Sequence, residues 1–104
     1  MEETFTESTG NVFADLGFDQ EEAENLRVRS TLMARIKKVI EDRGLTQNEA
    51  ARLFGVTQPR ISNLVCGRID LFSIDTLIDM LARAGVRVRV TMQRSSSKAK
   101  RRAA

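Results

Sequence analysis

Polar side chains between residues 58 and 63 have types and a spacing suited to hydrogen bonding. The set consists of Gln58, Arg60, Ser62 and Asn63. Glutamine and asparagine can each form a bidentate pair with adenine, and arginine can pair with guanine or with a phosphate. These residues therefore favour recognition of a nucleic acid.

The residue types give little support for catalysis or for metal binding. The chain has no histidine and one cysteine, Cys66, so a Cys–His nucleophile is impossible and a zinc site is not expected. We interpret Cys66 as a small, semi-buried residue. The acids Glu21, Glu22 and Glu24 fall near the start of a predicted helix, where carboxylates complement the helix dipole. We expect a protein that is not an enzyme and has no cofactor.

Two short predicted helices, joined by a tight turn, position the polar set. Thr46 with Glu49 three residues later forms a capping box at the start of the first helix. Gly55 suits the left-handed turn. Thr57 caps the second helix, and Pro59 falls in its first turn, where a missing N–H costs nothing.

Apolar spacing predicts which side of each helix is buried. The predicted inward residues are Ala50, Ala51, Leu53, Phe54, Val56, Ile61 and Leu64. Ala51 lies near the crossing of the two helices, where only a small side chain fits. The polar set then faces outward, which is the arrangement of a helix-turn-helix whose second helix is available for a DNA major groove.

The stretch Thr46–Gly67 resembles the helix-turn-helix of the Cro/cI-like (XRE) family of transcriptional regulators. The resemblance is carried by Gln47, Ala51, Gly55, Val56, Ile61 and the pair Gly67–Arg68. It extends roughly over residues 32–84. It implies an all-α, lambda-repressor-like domain of about five helices.

The resemblance also implies roles for individual residues. Gln47 would anchor a phosphate with its side chain and backbone N–H, helped by the positive end of its helix; the alternative is a solubilising residue at a helix start. Gln58 and Asn63 would read bases. Arg68, in the loop after the second helix, would contact a phosphate.

Two further positions keep alternatives open. Thr57 caps its helix, contacts a phosphate, or does both. Pro59 departs from the polar residue often found at this place in the family, and it either contacts a thymine methyl group or only shapes the helix start.

Charge is distributed unevenly along the 104 residues. Residues 1–25 hold eight acidic residues and no basic one, whereas residues 26–104 hold all seventeen basic residues and six acidic ones. A positive segment suits a polyanion, because each neutralised phosphate releases counterions. The alternative is an ordinary solvated surface with a flexible basic tail.

The chain divides into four predicted parts. Residues 1–18 form an acidic, partly disordered segment whose apolar patch at 12–18 folds back on the domain or docks on a partner. Residues 19–85 form the helical DNA-binding domain, with the helix-turn-helix at 46–67. Residues 86–93 form a strand, and residues 94–104 a basic disordered tail that adds phosphate attraction or solubility.

Within the helical domain, two longer helices flank the motif. A capping box at Asp19 and Glu22 opens a helix that runs to about Arg43, with a break near Ser30–Thr31 as one alternative. A second helix is predicted over 73–84, with Ile74, Leu77, Ile78 and Leu81 buried. Leu71 and Phe72, just before it, are expected to point inward.

The C-terminal segment changes to a period of two. Val86, Val88, Val90 and Met92 alternate with Arg87, Arg89 and Thr91. No other segment reads as a strand, so pairing with the same strand of a second copy around a two-fold axis is the simplest way to satisfy its backbone. We therefore predict a homodimer.

Together these features predict a cytoplasmic, homodimeric, sequence-specific transcriptional repressor that binds double-stranded DNA at a palindromic operator. No apolar run is long enough for a membrane span, and one cysteine fits a reducing compartment. The whole arrangement is similar to small HigA-like antitoxins, which implies autorepression and a basic RelE-like toxin as partner. One alternative is a protein-interaction module of the same fold without specific DNA binding. Another is RNA binding, for which no exposed aromatic residues are evident.

Overall fold

Helices account for the regular structure of the computed structural model, which describes residues 12–94. They are α1 Val12–Asp15, α2 Gln20–Arg43, α3 Gln47–Phe54, α4 Gln58–Val65 and α5 Ile74–Arg83, with a 3₁₀ turn Ile69–Leu71 between α4 and α5. The all-α architecture is as predicted. The disorder predicted for residues 1–11 and for the tail beyond 94 lies outside the described residues.

Capping side chains set the helix starts. The Asp19 carboxylate accepts a hydrogen bond from the Glu22 N–H at 2.8 Å, and the Ser73 hydroxyl accepts one from the Thr76 N–H at 3.2 Å. Gly44 ends α2 in the left-handed conformation, with φ 60°. Each of these caps involves residues no more than a few positions apart, so it follows from the local sequence.

Helix α2 continues through Ser30 and Thr31, where a break was the alternative. Both hydroxyls donate to the Arg27 carbonyl, at 3.1 and 3.0 Å. These bonds stay within one helical turn, so they are compatible with the helix. Leu32 and Met33, which follow, are buried against the core and hold the helix in place.

The core lies where α2 packs against α5 and α3 packs against both α4 and α5. Phe54, Ile36, Ile61 and Leu64 are among its completely buried side chains.

The prediction for α5 and the preceding turn was partly wrong. Leu77, Met80 and Leu81 are buried, whereas Ile74 and Ile78 are only half-buried. Ile74 and Ile78 still pack against the core from its edge, and Met80, which the spacing did not include, is buried with Leu77 and Leu81.

Leu71 is 40% exposed, while Phe72 is 1% exposed. Because Leu71 ends the 3₁₀ turn and Phe72 is extended, the two side chains leave the backbone in different directions. The inward orientation predicted for both holds for Phe72 alone.

The segment 12–18 folds back on α2. Helix α1 packs on α2, and the rings of Phe13 and Phe18 meet edge to face with centroids 6.2 Å apart. Ala23 and Leu26 of α2 are buried although they lie outside the main core cluster, which we attribute to cover by α1. Leu16 nevertheless remains 70% exposed.

Residues 86–94 form neither helix nor strand in the described single chain. Val86 and Val88 are half-buried and pack against the core, whereas Val90 and Met92 are 73% and 93% exposed. The predicted apolar face is therefore divided between the chain's own core and its surface. A strand whose partner is a second copy has nothing to pair with in one chain, so the dimer pairing stays a prediction.

Candidate nucleic-acid interface

The turn between α3 and α4 has the predicted left-handed glycine. Gly55 adopts φ 74° and ψ 33°, which glycine tolerates and other residues rarely do. Its N–H and that of Val56 both donate to the Ala51 carbonyl, at 2.9 and 3.0 Å. Ala51 is buried, as the close approach of the two helices requires. This turn fixes the angle at which α4 leaves α3.

Both motif helices begin with the predicted caps. Thr46 and Glu49 form the full capping box of α3, with reciprocal hydrogen bonds at 2.9 and 3.1 Å. The Thr57 hydroxyl accepts from the Arg60 N–H at 3.4 Å, and Pro59 lies in the first turn of α4. Because the first turn of α4 holds no acidic residue, its positive end is available to an anion.

Two glutamines connect the starts of the motif helices. Gln58 Nε2 donates to Gln47 Oε1 at 2.6 Å. A glutamine amide has two N–H donors and an oxygen acceptor, so Gln58 keeps an N–H and its oxygen for a ligand while its orientation is fixed by Gln47. Both residues are predicted for the site from the sequence, but the bond between them is not, because it joins positions eleven residues apart.

The outward side of α4 follows from its buried side. Ile61 and Leu64 are completely buried, so at 100° per residue Pro59, Ser62, Asn63 and Cys66 lie on the opposite side. Ser62 and Asn63 are half-buried at this surface.

Cys66 is exposed, contrary to the semi-buried position predicted for it. It continues the helical turn at φ −76° and ψ −3°, and therefore falls on the outward side with Pro59.

Arg60 lies to the side of α4 rather than on the outward surface. Its Cζ is 4.6 Å from the centroid of the Phe72 ring, and its Nη1 donates to the Leu71 carbonyl at 3.3 Å. The helical spacing predicts Arg60 among the outward residues. Its partners lie in the segment before α5, so the spacing within α4 gave no sign of this contact.

Arg68 is exposed directly after α4. Its backbone N–H donates to the Asn63 carbonyl at 3.0 Å, and Gly67 before it adopts φ 81°. The turn thus brings Arg68 close to the end of α4 that carries Asn63. The predicted site residues thus lie at three places. Gln47 is at the start of α3, Arg68 is in the loop after α4, and the rest lie at the start of α4 or along it: Thr57, Gln58, Pro59, Ser62 and Asn63.

The charges of this region suit an anionic partner. Residues 46–68 contain three arginines and a single acid, Glu49. The Glu49 carboxylate accepts from the Thr46 N–H, so it is engaged in the capping box. Among residues 12–94, no group of three or more potential metal ligands comes together. No helix in the same range is long and apolar enough to cross a membrane.

Comparison with known proteins agrees with this geometry. A family model described as "Helix-turn-helix domain" matches residues 12–93. A solved structure described as "Putative XRE Family Transcriptional Regulator" superimposes with a TM-score of 0.66 and 26% sequence identity, covering 80% of this chain and 90% of that one. No curated protein matches the sequence significantly. The chain therefore belongs to the XRE-type helix-turn-helix family, whose fold is that of DNA-binding transcription regulators.

Proposed function

We propose that this protein is a sequence-specific repressor that binds a palindromic DNA operator as a homodimer, with α4 as its recognition helix. The observation that carries the proposal is the hydrogen bond from Gln58 to Gln47. It fixes a base-reading amide at the edge of α4 and places it beside the start of α3. A side chain held in this way loses little conformational entropy when it binds.

The proposed contacts fall into two kinds. Gln58 and Asn63 read base edges in the major groove. Gln47, Thr57 and Arg68 contact phosphates and set the register of α4 on the duplex. Pro59 and Ser62, on the outward side between them, lie within the groove.

Substitution of a base-reading residue tests the first kind of contact. Asn63→Ala should weaken binding to a duplex selected from a random pool by about 1–3 kcal/mol, and it should leave binding to a random duplex nearly unchanged. Gln58→Ala should do the same at a different base pair. Fluorescence anisotropy at fixed salt measures both duplexes. Gln20→Ala, an exposed amide at the start of α2, serves as the matched control. Equal losses on the two duplexes would refute the base-reading role.

The homodimer is proposed to form through residues 86–92. Val90 and Met92 are exposed and follow Val86 and Val88, which line a groove together with Ile78. Pairing this segment with that of a second copy would satisfy its backbone and cover the exposed side chains. Two recognition helices would then enter successive major grooves about 34 Å apart.

Sedimentation equilibrium tests the dimer. The wild-type chain should be dimeric at micromolar concentration, and Val90→Lys with Met92→Lys should make it monomeric. Thr91→Lys adds a charge to the alternate side of the same segment and should leave the dimer intact. A monomeric wild-type chain would rule the proposal out.

A second function, neutralisation of a basic protein in the manner of an antitoxin, is favoured by the surface around α1. Leu16 and Phe18 are 70% and 40% exposed, and Asp15, Asp19 and Glu22 beside them are exposed acids. An apolar centre with an acidic rim complements a basic partner. Helix α1 packs on α2, whereas the arginines of the motif lie on α3, on α4 and in the loop after α4, so we propose that DNA and such a partner use different surfaces.

Binding to a small basic ribonuclease of the RelE type tests that function. Leu16→Ser should weaken the complex by more than tenfold in calorimetry and leave DNA binding unchanged. Leu71→Ser changes a leucine that is 40% exposed in the turn before α5, and it should have no effect on the complex. An unaltered complex with Leu16→Ser would exclude this surface. A chain that binds the ribonuclease but no DNA would instead be an interaction module of the same fold.

A further inference from the structure

Two arginines from different helices hold the turn that follows the recognition helix. Arg29 of α2 donates through Nη1 to the Ile69 carbonyl at 3.1 Å and to the Phe72 carbonyl at 3.3 Å. Arg60 of α4 donates to the Leu71 carbonyl at 3.3 Å. Three carbonyls within four residues are therefore bound by guanidinium groups of two helices.

Each arginine is itself held in position. Arg29 Nε donates to Asn25 Oδ1 at 2.7 Å, one turn earlier in α2. The Arg60 guanidinium lies over the ring of Phe72, 4.6 Å from its centroid, and Phe72 is only 1% exposed. The cation–π contact and the hydrogen bond fix Arg60 between its helix and the turn.

This arrangement bears on Arg68, which the proposed function assigns to a phosphate. Arg68 stands between Gly67, with φ 81°, and the 3₁₀ turn. A cation on a flexible glycine hinge would lose more conformational entropy on binding DNA than one on a fixed loop. The contacts of Arg29 and Arg60 fix the C-terminal side of that loop, and the Asn63 carbonyl fixes its start.

We infer that Arg60 is a positioning residue for DNA binding: together with Arg29 it braces the turn 69–72 against α2 and α4, so that Arg68, directly before this turn, is held where a phosphate lies. Arg60 does not read a base. This inference rests on the proposed DNA-binding function. It assigns a positioning role to Arg29 as well, although Arg29 lies on α2 and is half-buried.

A double-mutant cycle between Arg60 and Arg68 tests the inference. Arg60→Met keeps an apolar stem over Phe72 but removes the charge and the donor. Arg68→Met should weaken binding to selected and random duplexes alike, and it should lower the slope of log affinity against log salt by about one. Arg60→Met should reproduce both effects in part. The double variant should bind within about twofold of Arg68→Met alone, because Arg60 acts through Arg68.

Two controls separate positioning from a general loss of structure. Arg52→Met removes an exposed arginine from α3, and its effect should multiply with that of Arg68→Met. Arg60→Lys, which retains a cation and a donor, should recover part of the affinity. Hydrogen exchange of the Leu71 and Phe72 amides should be faster in Arg60→Met, while the melting temperature and the exchange of the α3 amides stay close to the wild type.

Three results would overturn the inference. A loss in Arg60→Met confined to the selected duplex would make Arg60 a base-reading residue. Effects of Arg60→Met and Arg68→Met that multiply would show that the two act independently. Unchanged exchange at Leu71 and Phe72 would show that Arg60 does not brace the turn. If the wild-type chain bound no DNA at all, the proposed function would fail, whereas the exchange measurement would still decide whether the turn is braced.

Discussion

Replacement of Gly55 by alanine should destabilise the protein through both its backbone and its surroundings. Gly55 has φ 74°, a conformation that costs a residue with a Cβ about 1–2 kcal/mol. Alanine also lowers the conformational entropy of the unfolded chain, which offsets about 0.4–1 kcal/mol of this cost. The backbone change alone should therefore lower the free energy of unfolding by about 1 kcal/mol.

The surroundings of Gly55 add a second contribution. A Cβ there would lie 2.6 Å from both Cδ and Nε of Arg83 and 2.9 Å from its Cζ. These distances require Arg83 to move. Since Arg83 is exposed and flexible, its rotation costs about 0.5–1 kcal/mol rather than the several expected for a clash with the core.

Thermal unfolding followed by circular dichroism measures the sum. A loss of about 1.5–2 kcal/mol corresponds to a fall in melting temperature of roughly 6–16 °C for a domain of this size. Gly44→Ala is the matched control, because Gly44 has φ 60° and a Cβ added to it would meet no atom within 4 Å. It should show the backbone loss alone.

The variant Gly55→Ala with Arg83→Ala should separate the two contributions. Relative to Arg83→Ala alone, the double variant should lose about as much free energy of unfolding as Gly44→Ala loses relative to the wild type. If Gly55→Ala melted at the wild-type temperature, the assignment of a strained turn would be refuted. If removing Arg83 left the loss at Gly55 unchanged, contact with Arg83 would not be its source.

Three other predictions concern caps, packing and pH. Thr57→Ala should lower the free energy of unfolding by about 1 kcal/mol in urea titration, because it removes the cap of α4; stability equal to the wild type would contradict the cap. Ala51→Leu should cost about 1–3 kcal/mol by overpacking the buried crossing of α3 and α4, and an unchanged urea midpoint would show spare room there. The hydrogen bond from Arg27 holds the pKa of Glu24 below its ordinary value of 4.5. The stability this gives is therefore present above pH 4.5 and lost as the pH falls through the folded-state pKa. Because the Glu24 side chain is 60% exposed, Glu24→Gln should cost no more than about 0.5 kcal/mol at pH 7 and nothing at pH 2, and a cost that persisted in acid would rule out the ion pair.

Local sequence predicted the framework of the motif well. The capping box at Thr46, the cap at Thr57 and the left-handed Gly55 after α3 are present as predicted. Of the capping box predicted at Asp19 and Glu22, the structure has the bond from the Glu22 N–H to the Asp19 side chain. Each depends on a side chain or backbone bond that spans only a few residues. The helix-turn-helix followed from these and from the apolar period, and the all-α class was implied by the resemblance of that motif to the XRE family.

Predictions of side-chain direction were less accurate for residues near the boundary between the buried and the exposed side of a helix or turn. Met80 is buried more deeply than Ile74 and Ile78, Leu71 is exposed, and Cys66 lies on the outward side of α4. An amphipathic pattern gives the approximate direction of the buried face, but its centre depends on the neighbouring helix.

The sequence by itself determined the helices, their caps, the glycine turn and the polar character of α4, because all of these arise from neighbours along the chain. Only the tertiary structure decided which of those polar groups work together. It joined Gln58 to Gln47 and placed Arg60 on Phe72, together with Arg29 on the same turn. These contacts link residues between 11 and 43 positions apart, and they exist only because the packing of the core brings separate helices within hydrogen-bonding distance.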